Sequence, residues 1–352
     1  MSAFPNAHEA LLRNRERIQG RVALIGLSDT GLLSELPDGG LAMTDHAGVF
    51  ARAPSLQGWR MAFGYDDEAL QPGCADTLVV FLPKARAELA FRLALAGRLA
   101  ANGARLILVG EKREGIAGAV RQLKAVAPDA AKVDSARHCQ VWQASQFATG
   151  GEFDVGAWMT WHSVAAAGVE VEIAGLPGIF SDGELDAGTL MLLQTLADQP
   201  LPRGHALDFA CGSGVIGCWI QAWQRAAGQE PSPIDAADVQ SQAVICARSS
   251  YQRNQALGDV VPSDGLSGVS GGIYRKYRAI VTNPPFHAGV RTDTSMTEQF
   301  LRQAAAHLQP SGELRLVANS FLPYEALIRK TIGPVTRLAG DKRFTVYCAK
   351  RT

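Results

Sequence analysis

The sequence lacks a surplus of charge of either sign. Its 352 residues contain 34 Lys and Arg and 34 Asp and Glu, so the formal net charge is zero. This balance argues against a generally polycationic nucleic-acid binder, although it leaves room for a local basic patch. Apolar runs of about 18 residues are also missing, because Arg98 and Arg105 break the most apolar stretch, so we expect no membrane span. With no apolar secretory segment near the start, we expect a cytoplasmic protein.

Cysteine pairing motifs are also absent. None of the six cysteines forms a Cys-x-x-Cys pair, and a chain of this length does not need disulfide staples. We therefore expect reduced, mostly buried thiols and no metal site. Hydrophobic residues make up 47% of the chain and charged residues 19%, which is typical of a folded protein of about two domains. No low-complexity tract or Pro-rich linker interrupts it.

What the sequence does contain is an internal repeat. Four segments recur in the same order: Ala23–Leu33 with Ala206–Ile216, Thr77–Lys84 with Arg278–Pro285, Asn102–Gly110 with Ser311–Ala318, and Lys132–Ala144 with Arg337–Ala349. Each copy alternates strands with helical stretches, a pattern that predicts an α/β protein with mostly parallel sheets and helices on both faces. We place the boundary at Gly150–Gly151, which gives two Rossmann-like domains, residues 1–150 and 151–352.

The second copy contains a glycine-rich turn that favours ligand binding. Gly212, Gly214 and Gly217 form Gly-x-Gly-x-x-Gly between a predicted strand and a predicted helix, whose free N–H groups can face a ligand. Asp238 ends the next predicted strand, close to the spacing expected of an acid that holds a ribose. A nicotinamide-dependent dehydrogenase would share these features.

Two further features favour S-adenosylmethionine over a dinucleotide. Asp208 lies inside the strand before the turn, where its carboxylate would face the charged methionine end of that cofactor and repel a pyrophosphate. The sequence Asn283-Pro284-Pro285-Phe286 ends the fourth strand of this copy, at the sheet edge where such folds bind ligands. A dehydrogenase leaves both features unexplained.

The Asn-Pro-Pro-Phe segment suits methylation of an amine bonded to an sp² carbon. Such a nitrogen is a poor nucleophile, and the Asn283 side-chain carbonyl and the Pro284 main-chain carbonyl can each accept one of its N–H groups. The two prolines fix the backbone, and Phe286 can stack on a flat substrate. The alternative is a rigid turn that merely closes the strand.

This combination resembles the class I S-adenosylmethionine-dependent methyltransferases that act on amines. Longer matches resemble the ribosomal RNA small subunit methyltransferase C family: NPPFHAG (283–289), SGELRLVANSFL (311–322) followed by Pro323-Tyr324, LPGIFSDGELDAGTLMLL (176–193) and VDSAR (133–137). The resemblance covers nearly the whole chain. It implies two tandem class I methyltransferase domains, the first of which has lost its cofactor site.

The resemblance also implies a reaction and its partners. That family transfers a methyl group from S-adenosylmethionine to the N2 amine of one guanine in 16S rRNA, at position 1207 in conventional rRNA numbering. The expected partner is therefore 16S rRNA in the small ribosomal subunit, and we expect a monomer that uses neither metal nor membrane.

Site residues follow from the resemblance position by position. Those expected to bind the cofactor are Asp208, Gly212 and Gly214 at the methionine end, Asp238 at the ribose, Asp264 at the adenine amine, and Asp186 and Thr189 in a segment that closes over it. Those expected to form the target-base site are Asn283, Pro284, Pro285 and Phe286. Asp264 could instead be a turn residue, and Asp186 a helix N-cap.

The first copy lacks the corresponding groups. At the positions of Asp208, Gly212 and Asn283 the repeat places Ile25, Asp29 and Leu82. We therefore expect this copy to support the fold and to contact RNA. From Lys84 to Arg137 there are eleven Lys and Arg against five Asp and Glu, and Arg13, Arg15, Arg17 and Arg21 form a second basic cluster.

Other functions remain open at this point. The sister enzymes that methylate guanine N2 in 23S rRNA share the two-copy plan and Asn-Pro-Pro-Phe. A protein glutamine-amide methyltransferase needs the same grip on an amine, although the basic first copy favours RNA. A ribosome-assembly factor with a vestigial site is the non-enzymatic alternative.

Overall fold

Two compact units make up the protein, Met1–Trp158 and Met159–Thr352. The structure is a computed structural model that describes residues 4–36, 39–53, 58–179, 185–266, 276–284 and 294–352, the side chains of 294 and 295 excepted. Within these residues, no helix has both the length and the apolar character needed to cross a membrane.

The first unit is a seven-stranded sheet covered by helices. Its strands and helices are α1 (Asn6–Leu12), β1 (Val22–Ile25), β2 (Gly40–Thr44), α2 (Ala47–Ala51), β3 (Trp59–Phe63), β4 (Ala75–Phe81), α3 (Arg86–Leu99), β5 (Ala100–Glu111), α4 (Ile116–Val126), β6 (Ala131–Asp134) and β7 (Cys139–Ala144). The strand order is β3-β2-β1-β4-β5-β7-β6. Only the pairs that involve β7 are antiparallel.

The second unit repeats this sheet after a hairpin. Its elements are β8 (Thr160–Ala166), β9 (Val169–Gly175), α5 (Ala187–Asp198), β10 (Ala206–Phe209), α6 (Val215–Ala226), β11 (Ile234–Asp238), α7 (Ser241–Arg253), β12 (Val260–Pro262), β13 (Tyr277–Thr282), α8 (Thr294–His307), β14 (Leu308–Asn319), α9 (Tyr324–Thr331), β15 (Val335–Gly340) and β16 (Phe344–Lys350). The order β12-β11-β10-β13-β14-β16-β15 matches that of the first unit strand for strand. The predicted pair of tandem, mostly parallel α/β domains is confirmed.

Central strand β10 shows why the sheet forms. All four of its residues are buried, as expected of a parallel strand with helices on both faces. Leu207 and Phe209 belong to the core beneath α8 and α9, whereas Ala206 belongs to the core on the α6 side. Because side chains alternate along a strand, Asp208 also points toward α6.

The hairpin that precedes α5 lies outside the main sheet. Its strand β9 pairs in antiparallel register with β8 in a separate two-stranded sheet. This hairpin packs on α6 and α7. The indole Nε1 of Trp219 on α6 donates to the carbonyl of Ala166, so the hairpin covers a helix rather than extending the sheet.

A bulge shared by the two sheets corrects the alignment of the two copies by one residue at two places. It lies between Ala75 and Thr77 on β4 and between Tyr277 and Ala279 on β13, so Val80 is equivalent to Thr282. Ile25 pairs with Val80 and Phe209 pairs with Thr282, so Ile25 is equivalent to Phe209. The residues at the positions of Asp208, Gly212 and Asn283 are therefore Leu24, Ser28 and Phe81, and the assignments to Ile25, Asp29 and Leu82 were wrong. None of the three substitutes supplies a carboxylate, a glycine or an amide.

Candidate active site

The turn from β10 to α6 has the backbone shape that its glycines predicted. Gly212 and Gly214 have φ angles of 52° and 80°, in the left-handed region where glycine is unstrained. A Cβ on Gly212 would have no heavy atom within 4 Å, so the turn is open on that side. A Cβ on Gly217 would instead collide with the Tyr251 hydroxyl, which makes the third glycine a packing residue between α6 and α7.

Asp208 is fully buried beneath this turn. Its Oδ2 accepts the Gly217 N–H at 3.1 Å, while Oδ1 is buried without a hydrogen-bond partner among the described residues. Burial raises the pKa of Asp208 to about 8. The hydrogen bond from the Gly217 N–H opposes this rise, and the nearby charge of Asp238 adds to it. A carboxylate with an unused buried oxygen suits a cationic group, and the residues present therefore fit the positively charged cofactor implied by the sequence.

Replacing Asp208 by asparagine should stabilise the protein in a pH-dependent way. The raised pKa means that the folded state binds a proton that the unfolded state releases, so stability is lost as pH rises from about 4 to 8. Asp208→Asn keeps an acceptor for Gly217 and never ionises. We expect it to gain on the order of 1–4 kcal/mol over the wild type at pH 8 and to lose that advantage toward pH 4. Urea unfolding at several pH values measures this, and a pH-independent difference would contradict it.

Asp238 and Asp264 lie at the same edge of the sheet as the glycine turn. Asp238 ends β11, where its Oδ2 accepts the Gly212 N–H at 2.9 Å and its Oδ1 accepts the Gln240 N–H at 3.0 Å. Asp264 follows β12 and is exposed. Asp238 thus contacts the turn, and because parallel strands end together, Asp264 lies at the same edge one strand further away.

Asn283 is held by a polar cluster at the start of α5. Its Nδ2 donates to Asp186 Oδ2 and to Thr189 Oγ1, both at 2.9 Å. Asp186 is the N-cap of α5, accepting the backbone N–H groups of Gly188 and Thr189, and it also accepts the Thr189 hydroxyl proton. The alternative interpretation of Asp186 as an N-cap is thus confirmed.

This cluster fixes the direction of the Asn283 side chain. Both amide N–H groups are engaged, and the opposite orientation would place the amide oxygen against the Asp186 carboxylate. Oδ1 therefore faces away from Asp186, and none of the residues that the structure describes donates a hydrogen bond to it. Pro284 is buried beside it, whereas Pro285 and Phe286 lie outside the described residues.

The sequence analysis assigned Asp186 and Thr189 to the cofactor, with an N-cap as the alternative for Asp186, and missed their contact with Asn283. Asp186 and Asn283 are 97 positions apart in the chain. An Asp before an apolar helical stretch signals an N-cap, which indicates the start of α5. Nothing in the local sequence, however, says which strand end the cap will meet.

In the first unit, buried side chains occupy the space at the equivalent edge of the sheet. Arg92 on α3 donates to the Phe81 carbonyl and to Asp45 Oδ2, both at 2.7 Å, and to Glu88 Oε1 at 2.8 Å. The Tyr65 hydroxyl donates to the same Glu88 oxygen. These groups follow the ends of β2, β3 and β4, so a buried cation occupies the strand ends.

The guanidinium also covers the turn after β1, since a Cβ on Gly26 would collide with it. Arg92 is 5% exposed, and its inclusion in the basic surface of the first copy was therefore wrong. On the other side of β4, helix α1 packs on β5 and β7 as α5 packs on β14 and β16. There the ring of His8 lies 4.8 Å from that of Phe81, where the second unit has the Asn283 cluster.

Comparisons with known proteins agree with this geometry. Residues 170–348 match the family described as Methyltransferase small domain, and residues 8–162 match Methyltransferase small domain N-terminal. The chain is 42% identical over 346 residues to the ribosomal RNA small subunit methyltransferase C of Pseudomonas paraeruginosa, covering 97% of this chain and 98% of the relative. The chain belongs to the ribosomal RNA small subunit methyltransferase C family. It is an rRNA methyltransferase.

Other relatives support membership of this family. The Hahella chejuensis protein of the same name is 37% identical over the full length of both chains. A solved structure, the T. thermophilus 16S rRNA N2 G1207 methyltransferase in complex with AdoMet and guanosine, covers 99% of this chain and 93% of its own, with a TM-score of 0.82 and 22% identity. At that identity the match shows the shared fold, including the two-unit plan of the family.

Proposed function

We propose that this protein transfers the methyl group of S-adenosylmethionine to the exocyclic N2 amine of a guanine in 16S rRNA of the small ribosomal subunit. The guanine is the one at position 1207, which the name of the T. thermophilus relative specifies. The observation that carries the proposal is the Asn283 amide, held by Asp186 and Thr189 with Oδ1 free at the sheet edge beside the glycine turn. When bound there, S-adenosylmethionine supplies an electrophilic methyl group.

The groups around Asn283 act on the amine rather than on the methyl group. Asn283 Oδ1 accepts one N–H of the guanine amine, and the Pro284 carbonyl accepts the other. Together they align the nitrogen lone pair and keep electron density on the nitrogen as the new bond forms. The proton then leaves to solvent, so the reaction needs no side-chain nucleophile or base. Among the described residues no group of His, Cys, Asp and Glu is arranged to hold a metal.

Binding of the cofactor falls to the turn and the strand ends. Asp208 Oδ1 would face the positively charged methionine end, and the open turn at Gly212 and Gly214 before α6 would hold its carboxylate. Asp238 binds the ribose hydroxyls and Asp264 the adenine amine. Asp186 and Thr189 act on the cofactor only through the segment that they anchor.

We infer that the first unit, residues 1–150 in the sequence-based boundary, binds no cofactor. Arg92 supplies a permanent cation at its strand ends, and Leu24 replaces the carboxylate of Asp208. This unit would instead support the fold and contact rRNA through exposed cations, among them Lys84, Arg86, Lys112, Arg121, Lys124 and Lys132. We further infer a monomer that works in the cytoplasm.

Transfer of labelled methyl from S-adenosylmethionine tests the reaction. Acceptors are unmodified small subunits, large subunits and their free rRNAs, with the labelled nucleoside identified. We expect N2-methylguanine in 16S rRNA of the small subunit. Label in 23S rRNA would support the proposed reaction but contradict the proposed substrate. If no RNA were labelled while the cofactor still bound, the rRNA reaction would be refuted, and a protein glutamine amide would be the next acceptor to test.

A further inference from the structure

The most exposed large apolar side chain among the described residues is Phe321, at 76%. It lies in the VANSFL segment, just beyond β14, and the proposed reaction gives it no role. An isolated exposed apolar residue is ordinary on a protein surface. Phe321 is different because of the groups next to it and because of the sheet edge on which it stands.

The neighbours of Phe321 come from the turn between β15 and β16. The Ser320 N–H donates to the Arg343 carbonyl, and the Ser320 hydroxyl donates to the Asp341 carbonyl, both at 2.9 Å. These bonds tie the segment of Phe321 to a turn on which Lys342 and Arg343 are exposed. We call Phe321, Lys342 and Arg343 the rim surface.

The rim surface adjoins the Asn283 cluster. The Arg343 guanidinium stands 5.6 Å from the centre of the Phe344 ring, and that ring packs against Gly188, two residues from Asp186. Strands β13 and β14 are neighbours, with Thr282 in register with Leu316. Strand β14 continues three residues beyond Leu316 to Asn319, on the order of 10 Å past the strand end that carries Asn283. Phe321 lies in the turn that follows, which the Leu322 N–H closes by donating to the Asn319 carbonyl.

The rim surface has two exposed cations. Neither Lys342 nor Arg343 forms an ion pair with a described residue. The adjacent Asp341 directs its Oδ1 to the backbone N–H groups of Arg343 and Phe344, both at 2.7 Å, and its charge offsets part of the positive charge of Arg343. Both cations lie on the turn that Ser320, the residue before Phe321, holds by hydrogen bonds.

We propose that the rim surface binds the single-stranded rRNA next to the target guanine. Phe321 stacks on an unpaired base of that strand, and Lys342 and Arg343 hold its phosphates. Stacking on an aromatic ring with cations along the backbone is how proteins grip unpaired RNA. A protein partner would need a wider apolar patch, whereas Leu322 beside Phe321 is half-buried. This inference rests on the proposed function and extends it to how the RNA is held.

Variants at Phe321 test the stacking contact. We expect Phe321→Ala to weaken binding of a 16S rRNA fragment that contains the target guanine, and to lower kcat/KM for methylation, by about tenfold. Phe321→Trp should restore both, because any large aromatic ring can stack. Arg343→Gln should weaken binding and also reduce its dependence on salt. Cofactor affinity should stay unchanged in all three.

A matched control comes from the opposite edge of the sheet. Leu257, 49% exposed, precedes β12 near the amino ends of the strands, and Leu257→Ala should leave RNA binding unchanged. The proposal is overturned if Phe321→Ala binds the fragment as the wild type does, or if Phe321→Trp is as weak as Phe321→Ala. Binding of the rRNA fragment can be measured even if the wild type transfers no methyl group. Failure of the rim surface to bind RNA can therefore be distinguished from failure of the proposed function.

Discussion

Replacing Asn283 by alanine is expected to lower kcat for methyl transfer to 16S rRNA by about 10²–10³-fold. The variant loses the acceptor that holds the guanine amine, and removal of one such preorganised group typically costs that factor. Binding of S-adenosylmethionine should change little, because Asn283 contacts the start of α5 rather than the glycine turn. Single-turnover methylation and calorimetric titration of the cofactor measure the two effects separately.

Variants of the two residues that hold Asn283 show whether the orientation of its side-chain amide, as well as its presence, affects the rate of methyl transfer. Thr189→Val keeps the shape of the side chain and removes the hydroxyl that Asn283 contacts. Asp186→Ser keeps an N-cap for α5 and withdraws the carboxylate. Each should lower kcat by about tenfold with little change in the KM for the cofactor, since each frees the amide to turn away from the substrate. Full activity of Asn283→Ala, or a KM effect alone in the Thr189 and Asp186 variants, would refute these roles.

Replacing Arg92 by methionine is expected to destabilise the first unit by about 3–5 kcal/mol. The change removes the central cation of a buried network: Asp45 and the Phe81 carbonyl lose the hydrogen bonds that Arg92 donates, and Glu88 keeps the bond from the Tyr65 hydroxyl but loses its counter-charge. Burial raises the pKa of Glu88, and the charge of Arg92 opposes that rise, so the carboxyl group would take up a proton more readily in the variant. Amide hydrogen exchange of β1, β2 and β4 measures the loss of stability in the strands that adjoin Arg92.

An exposed arginine of the same unit provides the control. Arg121→Met on α4 should change stability by less than about 0.5 kcal/mol, because its side chain is in solvent. Combining Arg92→Met with Glu88→Gln should recover part of the lost stability, since it removes one of the two carboxylates that Arg92 neutralises. If Arg92→Met exchanged as slowly as the wild type, the network would contribute nothing, and the case for a filled cofactor position in this unit would weaken.

Much of the fold could be predicted because its signals are local. Buried strands ending in glycine-rich or Pro-containing turns, followed by helical periodicity, define β10 with α6 and β4 with α3. The doubling of this pattern predicted the two main sheets but not the separate β8–β9 hairpin. The Asn-Pro-Pro-Phe segment indicated the kind of amine that the site can hold, because it places two acceptors side by side in a rigid turn.

Tertiary structure decided which distant residues meet. Only the folded chain brings the N-cap of α5 against Asn283, turning a helix-capping carboxylate into an anchor for the amide, and only strand pairing corrects the register between the two copies. The sequence shows Arg92 as one charge among eleven, and burial makes it the centre of the first unit. Local propensity and spacing act over a few residues, whereas side-chain orientation and desolvation depend on elements that are far apart in the chain.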